Sequence, residues 1–394
     1  MQLSQRAQAL SPSPTMAIDA RAKALLAEGQ DVINFSAGEP DFDTPEHIKA
    51  AAVEAIRRGD TKYTAVAGTV ALRRAIADHV AEVAGVRYAP EEIVVSVGAK
   101  HSLYNALMAL VNPGDKVLLP VPYWVSYSEQ IRLAGGEPVF VPLSPSRQYR
   151  LTVEDLEAHW QPGVVGLILN SPSNPTGAVV EPREIERIAA WVQQKDLWVI
   201  SDEIYHRLLY GTVRHQSIAA LDGMRERTIY VNGVSKAYAM TGWRIGYAAA
   251  PKALAAAMAG IQSQSTSNPT SVAQAAAVAA LTGPQDVVET MRQEFERRRA
   301  LAYDLLSGIR GLRPVLPDGA FYFWVETDAW VGRTLAGTVI QDADSLAAVL
   351  LDQALVAVVP GSGFGVPHAF RLSFATSQER IREGISRMAR LLNA

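Results

Sequence analysis

The chain has 394 residues, a formal net charge of -3 and no cysteine. So small a charge gives no reason to expect nucleic acid or an anionic membrane as partner. The absence of cysteine excludes disulfides, thiolate metal sites and cysteine nucleophiles, and no metal is expected.

Residues 1–14 are polar without an apolar core, so a secretion signal is not expected. No apolar run is long enough to span a bilayer. The expected location is cytoplasmic. Helical spacing over 16–29 closes on a glycine, and 32–35 reads as a short strand. Ser36-Ala37-Gly38-Glu39-Pro40-Asp41-Phe42-Asp43-Thr44-Pro45 is a turn-rich loop. A helix over 45–58 starts on proline, Lys62-Tyr63-Thr64 falls in a loop, and 68–84 is a further helix.

From residue 90 strands and helices alternate. Strands are expected at 93–97, 116–120, 139–142, 164–170 and 197–201, with helices at 99–111, 123–134 and 182–195. That alternation predicts an α/β fold, a mostly parallel sheet between helices. Ligands of such sheets bind at the carboxyl ends of strands. Gly98, the segment 170–177, Asp202 and Ser235-Lys236 all fall at such ends. Apolar runs at 228–231 and 245–250 read as two more strands. Residues 252–281 read as two helices broken at 265–269, and 286–308 as a long charged helix. Strands at 320–325, 354–359 and 370–375 and a helix at 377–392 follow. We expect a large domain over 46–284 and a smaller α+β domain over 285–394, joined by the N-terminal segment 1–45.

The stretch with most chemistry is Asn232-Gly233-Val234-Ser235-Lys236-Ala237-Tyr238-Ala239-Met240-Thr241-Gly242-Trp243-Arg244-Ile245-Gly246-Tyr247. A lone lysine is ordinarily a solvated surface charge. Lys236 lies instead in a Gly-rich segment between two buried strands, where a lysine of lowered pKa can form a Schiff base with an aldehyde. Ser235 and Arg244 can hold a phosphate by hydroxyl and guanidinium contacts. An aldehyde that carries a phosphate describes pyridoxal 5'-phosphate. Ser96-Val97-Gly98-Ala99-Lys100 ends a strand and opens a helix. Its free N–H groups suit an anion, and beside Ser235 and Arg244 the phosphate cradle is the better reading. Arg371 sits in an apolar strand, and its planar fork suits a carboxylate.

Ser235-Lys236-x-x-x-x-Thr241-Gly242-Trp243-Arg244-x-Gly246 resembles the cofactor attachment motif of the class I aminotransferases. Asn170-Ser171-Pro172-Ser173-Asn174-Pro175-Thr176-Gly177 and Ser201-Asp202-Glu203-Ile204-Tyr205 are similar to two further motifs of that family. The resemblance covers nearly the whole chain and lies in the branch of bacterial aspartate aminotransferases and their prephenate-active relatives. It implies a fold type I pyridoxal-phosphate enzyme. In it Lys236 holds the cofactor, Asp202 pairs with the ring nitrogen, and Asn174 and Tyr205 meet the phenolic oxygen. Trp124 stacks on the ring, Gly38 lets a substrate carboxylate approach backbone, and Arg371 binds the alpha-carboxylate. Glu203 is expected to be only a structural neighbour. Tyr63 is implied to reach the cofactor phosphate of a second subunit, which makes a homodimer with shared sites.

Lys100 is left open between the cofactor phosphate and an acidic substrate. The resemblance implies a ping-pong aminotransferase for L-amino acids and 2-oxo acids, with aspartate and 2-oxoglutarate preferred. Aromatic, alanine or prephenate specificity is the alternative. Prephenate-active members often carry a second N-terminal lysine, where Ser11 stands here, which speaks against that activity. A cofactor-sensing transcriptional regulator on the same fold would need a DNA-binding domain. Only about thirty residues precede the substrate loop, too few for one.

Overall fold

The computed structural model describes residues 2–8, 10 and 14–393. Ser11 lies outside them. Its centre is a seven-stranded sheet. In spatial order its strands are Ile93–Val97, Ile245–Ala249, Thr228–Gly233, Trp198–Asp202, Val164–Asn170, Lys116–Val121 and Glu137–Pro142. Ile245–Ala249 is antiparallel to both its neighbours, and the other pairings are parallel. The sheet is therefore mostly parallel, as the alternating pattern requires. Apolar clusters cover both of its faces. One gathers Ile48, Leu72, Ile76 and Tyr247; others gather Leu103, Leu107, Ile131 and Met258, or Leu156, Ile188 and Val192. Burying each such side chain contributes roughly 1.5–3 kcal/mol.

The helices show why these residues fold as they do. Pro182–Gln194 has proline in its first turn and buries Ile185, Ile188, Ala189 and Val192, one face at helical spacing. Gln378–Leu392 begins at Ser377, whose Oγ accepts from Arg380 N at 3.2 Å, and it buries Ile381, Ile385, Met388 and Leu392. Asp286–Ser307 buries Phe295, Ala302 and Leu306. Its outer face carries ion pairs three or four residues apart, among them Arg292 with Glu289 and Glu296.

A second, four-stranded antiparallel sheet takes its strands in the order Val359–Pro360, Ala369–Ser373, Tyr322–Glu326 and Arg313–Val315. Ile33–Asn34, near the N-terminus, pairs in parallel with Val356–Ala357. Tyr205, Leu208 and Tyr210 from the large sheet's side join the same apolar cluster as Phe321, Phe323 and Phe374. This shared packing sets the two sheets against each other across a cleft.

Some expectations are corrected. The helix expected over 123–134 is Ser126–Leu133. Tyr123 N is instead taken by Phe364 O at 3.2 Å, and Tyr127 N bonds back to Trp124 O at 2.9 Å, so 123–125 is a turn. The strand expected over 354–359 is divided. Ala354 ends the helix Ala343–Ala354, and Leu355 turns the chain with φ 54°. Val356–Ala357 and Val359–Pro360 then serve two different sheets. The helices Val153–His159 and Ala343–Ala354 were not foreseen. Among the described residues no helix is long and apolar enough to cross a membrane, and no acidic, His or Cys cluster could hold a metal.

Candidate active site

The carboxyl ends of the parallel strands open into one cavity of about 400 Å³. Val97 leads to Gly98, Val164–Asn170 ends on Asn170, Trp198–Asp202 ends on Asp202, and Gly233 leads to Ser235 and Lys236. Ile245–Ala249 runs the other way, so its beginning lies at that edge too, with Ile245 opposite Val97. This inversion brings Arg244 beside Gly98.

Lys236 lines the cavity, and its Nζ donates to Gly38 O at 2.5 Å. Burial, followed by the positive charge of Arg371, pulls its pKa down from 10.5 to about 8. A neutral amine suited to nucleophilic and proton-transfer work is therefore accessible near physiological pH. Asp202 is 3 % exposed. Its Oδ2 accepts from Tyr127 OH at 2.8 Å and its Oδ1 from Ile204 N at 3.2 Å. Burial pushes its pKa up to about 6, against the lowering effect of the Tyr127 donor. Glu203, next in sequence, points away from the cavity. Its carboxylate accepts from Ser201 Oγ at 2.8 Å, Ser217 Oγ at 2.6 Å and His215 Nε2 at 2.7 Å.

Arg371 is 2 % exposed and reaches the cavity from the second sheet. Its Nη1 donates to Asn174 Oδ1 at 3.1 Å and its Nη2 to Ser36 O at 2.9 Å, while Nε has no partner. Buried donors are ordinarily satisfied, so this Nε is an exception, while the planar fork as a whole suits an anionic ligand. The guanidinium lies 4.3 Å from the centre of the Tyr322 ring, and Tyr322 OH meets Tyr205 OH at 3.0 Å. Asn174 is held in turn, its N donating to Asn170 Oδ1 at 2.8 Å.

One end of the cavity is built from Ala99, Ser235 and Arg244, with Gly98 packed behind Arg244. Gly98 has φ 81° and ψ 161°, a region open only to glycine. A Cβ placed there would lie 2.6 Å from Arg244 Nη2. Gly246 is equally constrained, since its Cβ would fall 2.1 Å from Ala99 N. Backbone, helix start and guanidinium thus close to a distance no larger residue allows. The helix Ala99–Leu110 directs its free N–H groups and positive dipole end into the same space. Trp124 is half-buried and forms an edge-to-face pair with Tyr127 at 5.3 Å. Lys100 Nζ stands 4.8 Å over the Trp124 ring. Its residue faces solvent, yet burial of the amine, with Arg244 nearby, lowers its pKa.

These residues fit pyridoxal 5'-phosphate. An anion cradle, a flat aromatic wall, a buried carboxylate and a buried amine face one cavity, and Gly98 lets Arg244 close in where a side chain would clash. Of the residues singled out from sequence, Gly38, Ala99, Lys100, Trp124, Asn174 and Asp202 line the cavity. So do Tyr205, Ser235, Lys236, Arg244 and Arg371, while Gly98 stands behind Arg244. Tyr63 does not join them and is 92 % exposed. Sequence reasoning missed Tyr127 and Tyr322. For Tyr127 a signal existed, an aromatic three residues after Trp124 at the start of a helix. For Tyr322 none did, since it reaches the site only through the pairing of Tyr322–Glu326 with Ala369–Ser373.

Fold and cavity together define an enzyme that works on amino groups. Residues 30–388 match the aminotransferase class I and II family, and the chain belongs to it. It is 46 % identical over 395 residues to the aspartate aminotransferase of Geobacillus stearothermophilus, covering 100 % of each chain. It is 47 % identical over 393 residues to a probable aspartate/prephenate aminotransferase of Aquifex aeolicus, covering 99 % of this chain and 98 % of that one. The crystal structure of the Rhizobium meliloti aspartate aminotransferase superposes with a TM-score of 0.95 at 44 % identity, covering 100 % and 99 % of the two chains. That of the Thermus thermophilus aspartate aminotransferase with maleate gives 0.94 at 42 %, covering 100 % of both.

Proposed function

We propose that this aminotransferase uses pyridoxal 5'-phosphate to move an amino group between aspartate and 2-oxoglutarate, as a cytoplasmic homodimer. The observation that carries the reading is the meeting of Lys236, Asp202 and Arg371 in one cavity, each from a different segment. When bound, the cofactor supplies an aldehyde for an amine and a ring that accepts electrons. Gly98, Ala99, Ser235 and Arg244 would hold its phosphate, Asp202 its ring nitrogen, Trp124 its ring face, and Asn174 and Tyr205 its phenolic oxygen. Arg371 would hold the substrate's alpha-carboxylate, with Asn174 orienting the guanidinium. Lys236 Nζ would carry the proton to and from the substrate carbon as general base and acid. Its position against Gly38 O aims the amine, and its lowered pKa keeps the neutral form accessible.

The preference for a dicarboxylic substrate rests on Lys100, a cation at the cavity mouth beside Trp124. The solved Thermus relative that carries maleate, a dicarboxylate, supports it. Tyr63, exposed on its loop, is what supports shared sites between two subunits.

The test is a donor panel against 2-oxoglutarate, with aspartate, alanine and phenylalanine, for the native enzyme and Lys100→Ser. Losing a charge-assisted contact costs roughly 1.5–3 kcal/mol, so kcat/KM for aspartate should fall about tenfold to a hundredfold. Alanine and phenylalanine should change far less. An equal loss for all three donors would place Lys100 on the cofactor phosphate instead. No loss for any would remove the basis for aspartate.

A further inference from the structure

The loop of residues 61–69 is anchored from behind by two buried glutamines on different helices. Gln274, on Ser271–Thr282, is 0 % exposed. Its Oε1 accepts from Thr69 N at 2.8 Å. Its Nε2 donates to Thr64 Oγ1 at 3.0 Å and to Pro269 O at 2.8 Å. Gln262, on Lys252–Ser263, is also 0 % exposed. Its Nε2 donates to Val66 O and to Val95 O, both at 2.8 Å. Its Oε1 accepts from Ser96 Oγ at 2.8 Å and Asn105 Nδ2 at 3.0 Å. Both amides therefore spend both N–H donors and use their oxygen. A further bond, Val95 N to Ala67 O at 3.0 Å, ties the loop to the strand Ile93–Val97 that leads to Gly98.

This anchoring surrounds a residue that gains nothing from it within one chain. Tyr63 is 92 % exposed, yet its neighbour Thr64 is gripped by Gln274. An exposed aromatic on a tightly held loop is prepared for a contact outside its own chain, because order imposed beforehand need not be imposed on binding. Gln262 also holds Ser96, two residues before the cradle glycine, so one buried amide joins the chain's own anion cradle to the loop it presents outward.

We propose that Gln274, backed by Gln262, is a positioning residue that holds the 61–69 loop so that Tyr63 meets the cofactor phosphate in the cradle of a second copy of this chain. The proposal rests on the shared-site homodimer above. It adds the groups that make the sharing work and links each cradle to the loop serving the other.

The experiment uses heterodimers purified through two different affinity tags. One chain is native. The other carries Lys236→Ala, so the visible band of lysine-bound cofactor arises only in the native chain's cradle. Into the Lys236→Ala chain are then placed, one at a time, Tyr63→Phe, Gln274→Met and Thr64→Val. The reading is the dissociation constant of pyridoxal phosphate at the native lysine. Each substitution should raise it roughly tenfold over Lys236→Ala alone, the size of one lost charge-assisted hydrogen bond, and Thr64→Ser should restore it. Damage confined to the altered chain would not loosen cofactor in the native partner's cradle. If Tyr63→Phe loosens the cofactor while Gln274→Met and Thr64→Val do not, the glutamine clamp is overturned. If Tyr63→Phe has no effect either, the shared site falls and the clamp falls with it. Should Gln274→Met fail to fold, Thr64→Val decides, since it removes only one half-buried hydroxyl.

Discussion

Replacing Lys236 with methionine should stabilise the cofactor-free protein at neutral pH. The native amine is buried against Gly38 O, and its pKa is lowered from 10.5 to about 8 by burial and by Arg371. In the unfolded chain the same amine titrates near 10.4. Between about pH 8 and 10.4 the unfolded chain holds a proton that the folded chain has released, so stability rises with pH across that window. Below about 8 both forms are protonated, and the folded state bears the full cost of a buried charge. A lowering from 10.5 to about 8 corresponds to roughly 3 kcal/mol. Methionine removes that cost, keeps most of the volume and forfeits the bond to Gly38 O, about 1 kcal/mol. The net expectation at pH 7 is a gain of about 2 kcal/mol, of the kind seen when function and stability compete. Urea unfolding of both proteins, stripped of cofactor, at several pH values from 7 to 10.5 measures it. The methionine variant should lead at pH 7, and the gap should close as pH approaches 10.5. A gap that stays constant with pH, or a variant that is weaker at pH 7, would refute the assignment of a charge-destabilised amine.

Tyr127→Phe removes the donor to Asp202 Oδ2, so the carboxylate should bind its proton more tightly. The acid limb of the kcat/KM profile should shift to higher pH and kcat should fall about tenfold, which steady-state rates from pH 5 to 9 would show; an unmoved limb would remove Tyr127 from this role. Gly98→Ala places a Cβ 2.6 Å from Arg244 Nη2 at a backbone angle reserved for glycine. Cofactor titration should show at least about tenfold weaker binding with the fold destabilised by roughly 1–3 kcal/mol; unchanged affinity would mean that Arg244 is not part of the phosphate cradle.

Much of this site was legible because its residues follow strands. The apolar runs before Gly98, Asn170, Asp202 and Ser235 mark buried strands, and a parallel sheet leaves its ligands at their carboxyl ends. Arg371 was legible as a lone cation in an apolar strand. Its partners were not, since Ser36 O and Asn174 Oδ1 come from segments 335 and 197 residues away. The missed helix Ala343–Ala354 follows an irregular stretch, and Asp342 caps it through Ser345 N at 2.8 Å, a signal hidden among ordinary loop residues. The reversal of Ile245–Ala249 was also illegible, because an apolar run does not disclose its direction. That reversal decides where Arg244 goes. Had the strand run parallel, its start would lie at the opposite edge of the sheet, away from the cradle.

Burial first, and then the charges of the cavity, set the state of this amine. Lys236 shares its surroundings with Arg371 and Arg244, and both lower its pKa, while Asp202 and Glu39 raise it more weakly than burial lowers it. Nearby cations disfavour a further positive charge, and an arriving anion offsets them. A phosphate beside Arg244 and a carboxylate on Arg371 would each cancel one repulsive charge facing Lys236. Binding the anionic ligands would therefore raise the proton affinity of the same amine. The direction of that change suits the proton-holding role proposed for Lys236 once both ligands are in place.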